Sequence, residues 1–357
     1  MPVSQSPSFR GHEQVVFCYD IEVGLKAIIA IHDTTLGPAL GGLRMWNYTS
    51  EIDALEDVLR LSRGMTYKAA MANLEYGGGK AVIIGDPKTE KTEALLERFG
   101  EFVDGLGGRY ITAEDVGTST RDLAVVRRRT NHAAGFDDGG SGDPSPVTAW
   151  GVFHGIRAAV AERLRRSTLA GTVVAVQGLG HVGQQLLRFL DEAGAELVVS
   201  DIDPERVAQA VARHGATPMT PREIYDARAD VFAPCALGAV LNDETIPRLR
   251  VAVVAGAANN QLAEDRHGTI LAERDILYAP DYVINAGGII NINYEGPGYD
   301  AQAAMDHAAG IHATLAELFD LSERRRAPTN LVADKMAEAR IMTAKTARRE
   351  TALELAS

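Results

Sequence analysis

Three short segments in the first third of the chain carry residues able to do acid–base chemistry together. They are Met65-Thr-Tyr-Lys68, Gly77-Gly-Gly-Lys80 and Thr112-Ala-Glu-Asp115-Val-Gly117. Singly, each has a plain structural explanation: Lys68 as a helix-end cation, the glycines as a turn, Asp115 as an N-cap for the segment after Gly117. Jointly they suit the oxidation of an amino acid. One lysine can bind an α-carboxylate. A second, its pKa lowered by burial and a like-charged neighbour, can act as general base on water or on the amine. An aspartate can stabilise the ammonium or shuttle its proton, and the glycines let backbone and a nicotinamide ring come into contact. A phosphate loop is the competing use of such glycines and a lysine. No Ser or Thr follows Lys80 and the G-x-x-x-x-G-K spacing is absent, so that use is set aside.

A second constellation lies further on. Gly178-Leu-Gly180-His181-Val182-Gly183 follows an apolar strand pattern, Thr172–Gln177, and opens a helix pattern with Leu186, Leu187 and Leu190 on one face. Gly194 stops that helix. In this context the first glycine makes the turn and the second lets backbone N–H groups approach a pyrophosphate. The third lets helix and strand pack closely, and the helix N-terminus stabilises the anion. Asp201 closes the next strand, where a carboxylate can accept both ribose hydroxyls and repels a 2′-phosphate. NAD is therefore expected over NADP. Asp203 is close enough to compete for the ribose role.

Elements at the right places must hold these groups. Val15–Tyr19 and Leu25–Ile31, rich in β-branched residues, predict two neighbouring strands. Ser50, with Asp53 behind it, predicts the start of a helix through Ile52, Leu55, Val58, Leu59 and Ser62. Ala81–Ile84 reads as a short buried strand, Glu93–Leu106 as a helix, Tyr110–Ala113 as a strand, and Thr120 as the start of another helix. Gly135–Pro146 holds glycine and proline at a density that no element interior tolerates and predicts a linker. Beyond it come a helix over Val147–Arg165 and short apolar strands at Thr172–Gln177, Glu196–Ser200, Asp230–Ala233, Val251–Ala255 and Ile276–Ala279, separated by helix-length segments. This is the signature of a doubly wound parallel sheet. The expected organisation is α/β in two domains. Residues 1–135 form the substrate and catalytic-lysine domain, 136–148 a hinge, and 149–328 a Rossmann-type domain. Over 329–357 an amphipathic helix either returns to the first domain or makes a subunit contact.

Composition excludes several classes. The net charge of −12 argues against a nucleic acid partner, and the basic runs Arg127–Arg129 and Arg324–Arg326 read as solvated faces or helix ends. No stretch approaches the ~20 apolar residues of a membrane span. Only two cysteines are present, far apart, so no disulfide framework is expected and a cytoplasmic setting is. The histidines show no i,i+4 pairing or Cys/His clustering, and no metal site is expected.

The order of motifs along nearly the whole chain resembles the glutamate/leucine/phenylalanine/valine dehydrogenase family, most closely its leucine-acting members. The resemblance is carried by Leu36–Trp46, Arg63–Lys68, Gly77–Lys80, Arg109–Val116, Asp143–Thr148, Phe232–Gly238, Ala255–Gln261 and Ala279–Gly288. It implies that Lys68 holds the substrate carboxylate, that Lys80 is the general base and that Asp115 assists proton transfer. It places Gly41 and Gly42 at the substrate, Asn259 near nicotinamide and substrate, and Ala236 in a loop lining the cofactor cleft. It implies that the hinge lets the domains close around the hydride transfer, and that the protein is a homo-oligomer. Its implied pocket positions are Leu40, Met65, Ala113, Ala134, Ile289 and Ile292. Glutamate-acting members carry lysine and serine where Leu40 and Ile292 stand, so glutamate is expected to be rejected. Leucine-acting members typically carry threonine at Ala134 and valine at Ile289 and Ile292; the first change opens space and the others fill it. Branched-chain substrates are expected first. Aromatic ones come second, since the first ~35 residues and Arg63–Ala72 also resemble the tryptophan-acting members. A non-catalytic NAD sensor would have no need of Lys68, Lys80 and Asp115 together.

Overall fold

The computed structural model describes residues 2–136, 141–296 and 298–356. They divide into two compact units, the first comprising Met1–Asp143, Glu295–Tyr299 and Ala337–Ser357, the second Pro144–Tyr294 and Asp300–Met336.

In the first unit the strands β1 (Gln14–Asp20), β2 (Leu25–Asp33), β3 (Ala39–Trp46), β4 (Gly77–Ile84) and β5 (Tyr110–Glu114) form one sheet in the order β1-β2-β4-β3-β5. β2 runs antiparallel to β1 and β4, whereas β3 runs parallel to β4 and β5. Period-2 alternation sends successive side chains to opposite faces. Ile28, Ala30 and Val82 meet Ala54, Leu55, Val58 and Leu59 of helix α1 (Glu51–Met71). Ile29, Ile31 and Ile83 meet α2 (Glu93–Asp104) and α3 (Thr120–Val126) through Leu95, Phe99, Leu123 and Val126. Helix α1 starts where expected, with Ser50 Oγ accepting the Asp53 N–H at 3.2 Å.

Two features depart from the sequence reading. β3 was not foreseen, because Gly41-Gly42 interrupts its apolar run. Gly77–Gly79 are not a turn before a strand but its first three residues, all buried. The reason is steric and is given with the site.

The second unit is built on α4 (Ser145–Leu164), β6 (Val173–Gln177), α5 (His181–Glu192), β7 (Glu196–Ser200), α6 (Pro204–His214), β8 (Thr217–Pro218), β9 (Val231–Pro234), β10 (Val253–Val254), α7 (Arg266–Glu273) and β11 (Leu277–Tyr278). It continues through α8 (Asp281–Ile284), α9 (Gly287–Asn293), α10 (Ala301–Ala309), α11 (Ile311–Arg325) and the start of α12 (Thr329–Ala356). Its sheet is parallel throughout, in the order β11-β10-β9-β6-β7-β8. The chain moves one way from β6 to β7 and β8, then returns to continue from β9 on the other side. The order therefore reverses between β6 and β9, and ligands of such sheets bind in the crevice outside the carboxyl ends there.

Helix α4 starts at Ser145, inside the stretch expected to be a hinge. Pro144 and Pro146 fall at its entry, where a missing N–H costs nothing. Residues 137–140 of that stretch lie outside the described residues. From Ala337 onward α12 belongs to the first unit, where Tyr67 OH donates to Glu338 at 3.0 Å and Arg340 Nη1 donates to the Ala70 and Met71 carbonyls at the end of α1. Among the described residues no helix is long and apolar enough to cross a membrane.

Candidate active site

Lys80 lies within β4 and is only 5% exposed. Its Nζ is 3.1 Å from Oδ2 of Asp115, the residue that follows β5. The Asp115 N–H donates to Thr118 Oγ1 at 3.0 Å, and that hydroxyl donates to the Leu43 carbonyl at 2.8 Å, tying the turn to β3. Arg44 of β3 donates Nε to the same Asp115 Oδ2 and Nη1 to Asp57 Oδ2 of α1, each at 2.8 Å. Asp57 also accepts from Tyr48 OH at 2.7 Å and Arg60 Nη2 at 2.8 Å. Among the described residues Asp115 Oδ1 accepts no hydrogen bond. One carboxylate oxygen is held and the other is open.

Burial holds the Lys80 amine below its ordinary range; Asp115 pulls the other way, and the Arg44 cation reinforces the lowering. For Asp115, burial favours the neutral acid, but Lys80 and Arg44 outweigh it and hold the carboxyl below its ordinary value. A lysine ready to lose its proton thus sits beside a carboxylate that stays ionised. That combination suits a general base with an anionic partner.

The glycines around this pair are filled by protein. A Cβ on Gly41 would overlap the Gly79 carbonyl oxygen, one on Gly78 would overlap Thr66 of α1, and one on Gly79 would come 2.6 Å from the Tyr110 ring. The expectation that Gly77–Gly79 make room for a nicotinamide is thereby corrected: their missing side chains let α1, β3 and Tyr110 close onto β4. Gly42 has different neighbours, since its Cβ would lie 2.5 Å from the Glu114 carbonyl oxygen and 2.8 Å from Asp115 Cβ. Its missing side chain lets the end of β5, with Asp115, close onto β3.

The structure brings several of the expected pocket positions to this part of the sheet. Leu40 and Ala113 are buried on β3 and β5, and Gly42 pairs with Ala113 in register. Ala134 is also buried, its N–H donating to the Thr112 carbonyl at 2.8 Å. Met65 and Lys68 are half-buried near the end of α1, one turn apart. Ile289 and Ile292 lie on α9 of the second unit, Ile289 buried and Ile292 half-buried.

The second unit forms the glycine turn at the carboxyl end of β6. Gly178 has φ +99° with Ala236 and Cys235 packed where a Cβ would stand, and a Cβ on Gly183 would overlap the Gly178 carbonyl. Gly180 meets nothing closer than Arg206 at 4.0 Å, so the turn is open on the side where an anion would approach the first turn of α5, at His181 and Val182. Asp201 Oδ2 accepts the Leu179 N–H at 2.6 Å, and Oδ1 accepts the Asp203 N–H at 2.8 Å. Asp203 instead caps α6 and pairs with Arg206. The geometry separates the two carboxylates: Asp201 belongs to the glycine turn and Asp203 to a helix. Asn259 is exposed and accepts from Asn285 Nδ2 at 2.8 Å. The residues of the turn fit a dinucleotide, with a close-packed first and third glycine, an open second one and a carboxylate beside them.

One group of potential metal ligands exists among the described residues, Asp243, Glu264 and His267. Arg266 pairs with both carboxylates, and His267 Nδ1 accepts the Glu264 N–H at 3.0 Å. The cluster already holds its cation, a guanidinium. Sequence reading missed Arg44, Asp57 and Asn285. Arg44 was hidden with its unrecognised strand, and Asp57 has no signal beyond a charge on the face of α1 that turns toward the sheet.

A parallel dinucleotide-type sheet, together with a second α/β unit that buries a lysine–aspartate pair, defines an α/β dehydrogenase of amino acids. The family models agree. One described as Glu/Leu/Phe/Val dehydrogenase, dimerisation domain, matches residues 12–132, and one described as Glutamate/Leucine/Phenylalanine/Valine dehydrogenase matches residues 139–207 and 203–317. The chain is 55% identical over 339 residues to a leucine dehydrogenase of Geobacillus stearothermophilus, covering 94% of this chain and 92% of that one. It is 54% identical to a leucine dehydrogenase of Thermoactinomyces intermedius, with 92% and 91% covered. Among solved structures, L-tryptophan dehydrogenase from Nostoc punctiforme superposes with a TM-score of 0.85 at 49% identity, covering 94% and 97% of the two chains. The chain belongs to the Glu/Leu/Phe/Val dehydrogenase family. It is an enzyme acting on the CH–NH2 group of amino acids.

Proposed function

We propose that this enzyme catalyses the reversible NAD-dependent oxidative deamination of an apolar L-amino acid, leucine foremost with valine and isoleucine, to the 2-oxo acid and ammonia. The observation that carries this reading is the contact of the buried Lys80 with the half-buried Asp115 at 3.1 Å, on a sheet whose strands also bury the apolar Leu40 and Ala113, with Ala134 bonded to its edge at Thr112. Lys68 binds the substrate carboxylate. Lys80, uncharged, takes a proton from the substrate ammonium or from the water that attacks the imine carbon. The open Oδ1 of Asp115 accepts from the nitrogen as it gains or loses its proton. NAD, when bound, supplies the hydride acceptor. The N–H groups about Gly178, Gly180, His181, Val182 and Gly183 would hold its pyrophosphate and Asp201 its adenosine ribose, with Ala236 and Asn259 flanking it. A side-chain carboxylate set against Leu40 would be buried without a partner, at a cost on the order of several kcal/mol, so glutamate is a poor substrate.

A second reading, an aromatic amino acid as preferred substrate, is favoured by the small Ala134 and by the likeness to the L-tryptophan dehydrogenase structure. The enzyme is a homo-oligomer in this proposal. The dimerisation-domain match supports that, as does edge strand β1, which leaves Tyr19 51% exposed and Ile21, just beyond it, 97% exposed. The test is NADH formation with leucine, valine, isoleucine, phenylalanine, tryptophan and glutamate, with NAD and NADP compared. Branched-chain substrates lead with NAD if the proposal is right. Tryptophan in the lead would overturn the substrate and leave the chemistry. Lys80→Ala should lower kcat by at least about 100-fold; near-normal turnover would remove Lys80 from the mechanism.

A further inference from the structure

The cluster around Lys80 holds more charge than a lysine–aspartate pair needs. From β3 it receives Arg44, from α1 Asp57 and Arg60, from the segment after β3 Tyr48, and from the end of β5 Asp115. Tyr110 of β5 is buried, donates to the Gly41 carbonyl at 2.7 Å and stays neutral, because burial pushes its phenol well above the ordinary range. Tyr48 stays neutral too, pushed up by burial and then by its bond to Asp57. Of the charged groups among the described residues that act on Lys80, Asp115 and Asp57 favour its protonated form, and Arg44 is the one cation that opposes it.

We propose that Arg44 is a positioning residue of this site: its guanidinium, clamped by Asp57, fixes Asp115 Oδ2 against Lys80, leaves Oδ1 for the substrate nitrogen, and sets a second cation on the oxygen that Lys80 touches. The inference rests on the reading of Lys80 as the general base. Its geometric basis is the fork of Arg44, with Nε on Asp115 and Nη1 on Asp57, both at 2.8 Å. Lysine, whose three donors share one nitrogen on a flexible stem, does not present the rigid two-nitrogen fork that makes that bridge. Asp57 is in turn fixed by the Tyr48 hydroxyl and by Arg60, so the clamp reaches from α1 across β3 to the end of β5.

Two neighbouring substitutions then have opposite signs. Arg44→Met removes the cation that opposes the charge on Lys80, so Lys80 keeps its proton to higher pH. Asp57→Asn removes an anion that favours the charged amine, so Lys80 gives up its proton at lower pH. A merely structural role for either residue would lower Tm or the yield of active enzyme without moving the pH profile in two directions.

The experiment is the pH dependence of kcat/KM, in the full-length assembled enzyme with saturating NAD and its best amino acid substrate, for the wild type and the variants Arg44→Met, Arg44→Lys, Asp57→Asn and Lys80→Ala. The acid limb should move up by roughly one pH unit in Arg44→Met and down in Asp57→Asn. Arg44→Lys should keep the limb near its wild-type position while kcat falls on the order of tenfold, because charge is retained and geometry lost. Limbs that stay in place in both Arg44→Met and Asp57→Asn, with Lys80→Ala inactive, would overturn the Arg44 assignment alone. A Lys80→Ala enzyme that keeps both turnover and the acid limb would overturn the base assignment, and this one with it. If Arg44→Met does not fold, Asp57→Asn still decides: a downward shift supports the proposal, and a fixed or upward one overturns it.

Discussion

Single side chains in this enzyme are specified by what their neighbours cannot satisfy. Asp201 is the sharpest case in the second unit, since both its oxygens are engaged by backbone N–H groups of its own loop and the glycine turn. In the proposed function it stands at the adenosine ribose. Asp201→Asn should raise the NADP to NAD ratio of kcat/KM about tenfold, a discrimination worth little more than one lost charge contact; an unchanged ratio would move that role elsewhere. His154 is the opposite case. Its Nε2 is buried with no hydrogen-bond partner, and its ring stands edge-on to Trp150 at 4.5 Å, beside Phe153. Burial first, then the Arg157 cation, holds its pKa down to about 4. His154→Phe should raise Tm, because an orphaned buried nitrogen costs about 1–3 kcal/mol before allowance for its partial exposure. A fall in Tm would mean that the ring nitrogen has a partner in solution.

At the scale of elements, the site depends on how closely α1 and β3 approach β4. Gly78 lets the Thr66 backbone and hydroxyl lie directly on the strand, one residue from Met65 and within a turn of Lys68. Gly78→Ala pushes α1 off the sheet, so KM for the amino acid should rise more than kcat falls. Thermal unfolding should show a loss of roughly 1–3 kcal/mol, the usual cost of overpacking. An unaltered KM would show that Lys68 is placed by something other than this contact. How legible the elements were depended on their composition. Helix α1 was readable because its cap and apolar spacing agree, α2 from its spacing, α5 from the glycine fingerprint and the leucines behind it, and β6 and β7 because short parallel strands are continuous apolar runs. β3 was not, since its two glycines look like a turn until the partner strands show what fills their place.

For the molecule as a whole, acid should be the weak side. His32 is pushed down to about 4 by burial and then by His12, and His12 is lowered by burial as well; both pack in the first unit with ring centroids 4.8 Å apart. These histidines, with His154, are neutral when folded and titrate near the ordinary 6.5 when unfolded. Between those values the unfolded chain binds more protons. Their stabilisation is therefore complete above the unfolded pKa and is lost as pH falls toward about 4. Melting curves from neutral to acid pH should show Tm falling through this window, with a shallower slope in His154→Phe; a flat profile would contradict the burial argument. Assembly belongs to the same scale. Tyr19→Lys on the exposed edge strand should lower the molar mass seen by light scattering if β1 joins subunits, and should leave it unchanged if another face does.

The sequence by itself determined the chemistry, the glycine turn with its acidic partner, and the α/β class, because these are local matters. A fingerprint is set by spacing, a helix by its caps and period, and a parallel strand by an apolar run of the right length. The tertiary structure alone decided which charges meet. Asp115 stands out in its own segment, but Arg44 lies 71 residues before it, and nothing local marks Arg44 or Asp57 as its partners. Only the placing of β3 between β4 and β5, with α1 laid across the sheet, brings two cations onto one carboxylate oxygen and leaves Lys80 with a proton it can give up. Pairing of that kind depends on register and burial, which no single segment encodes.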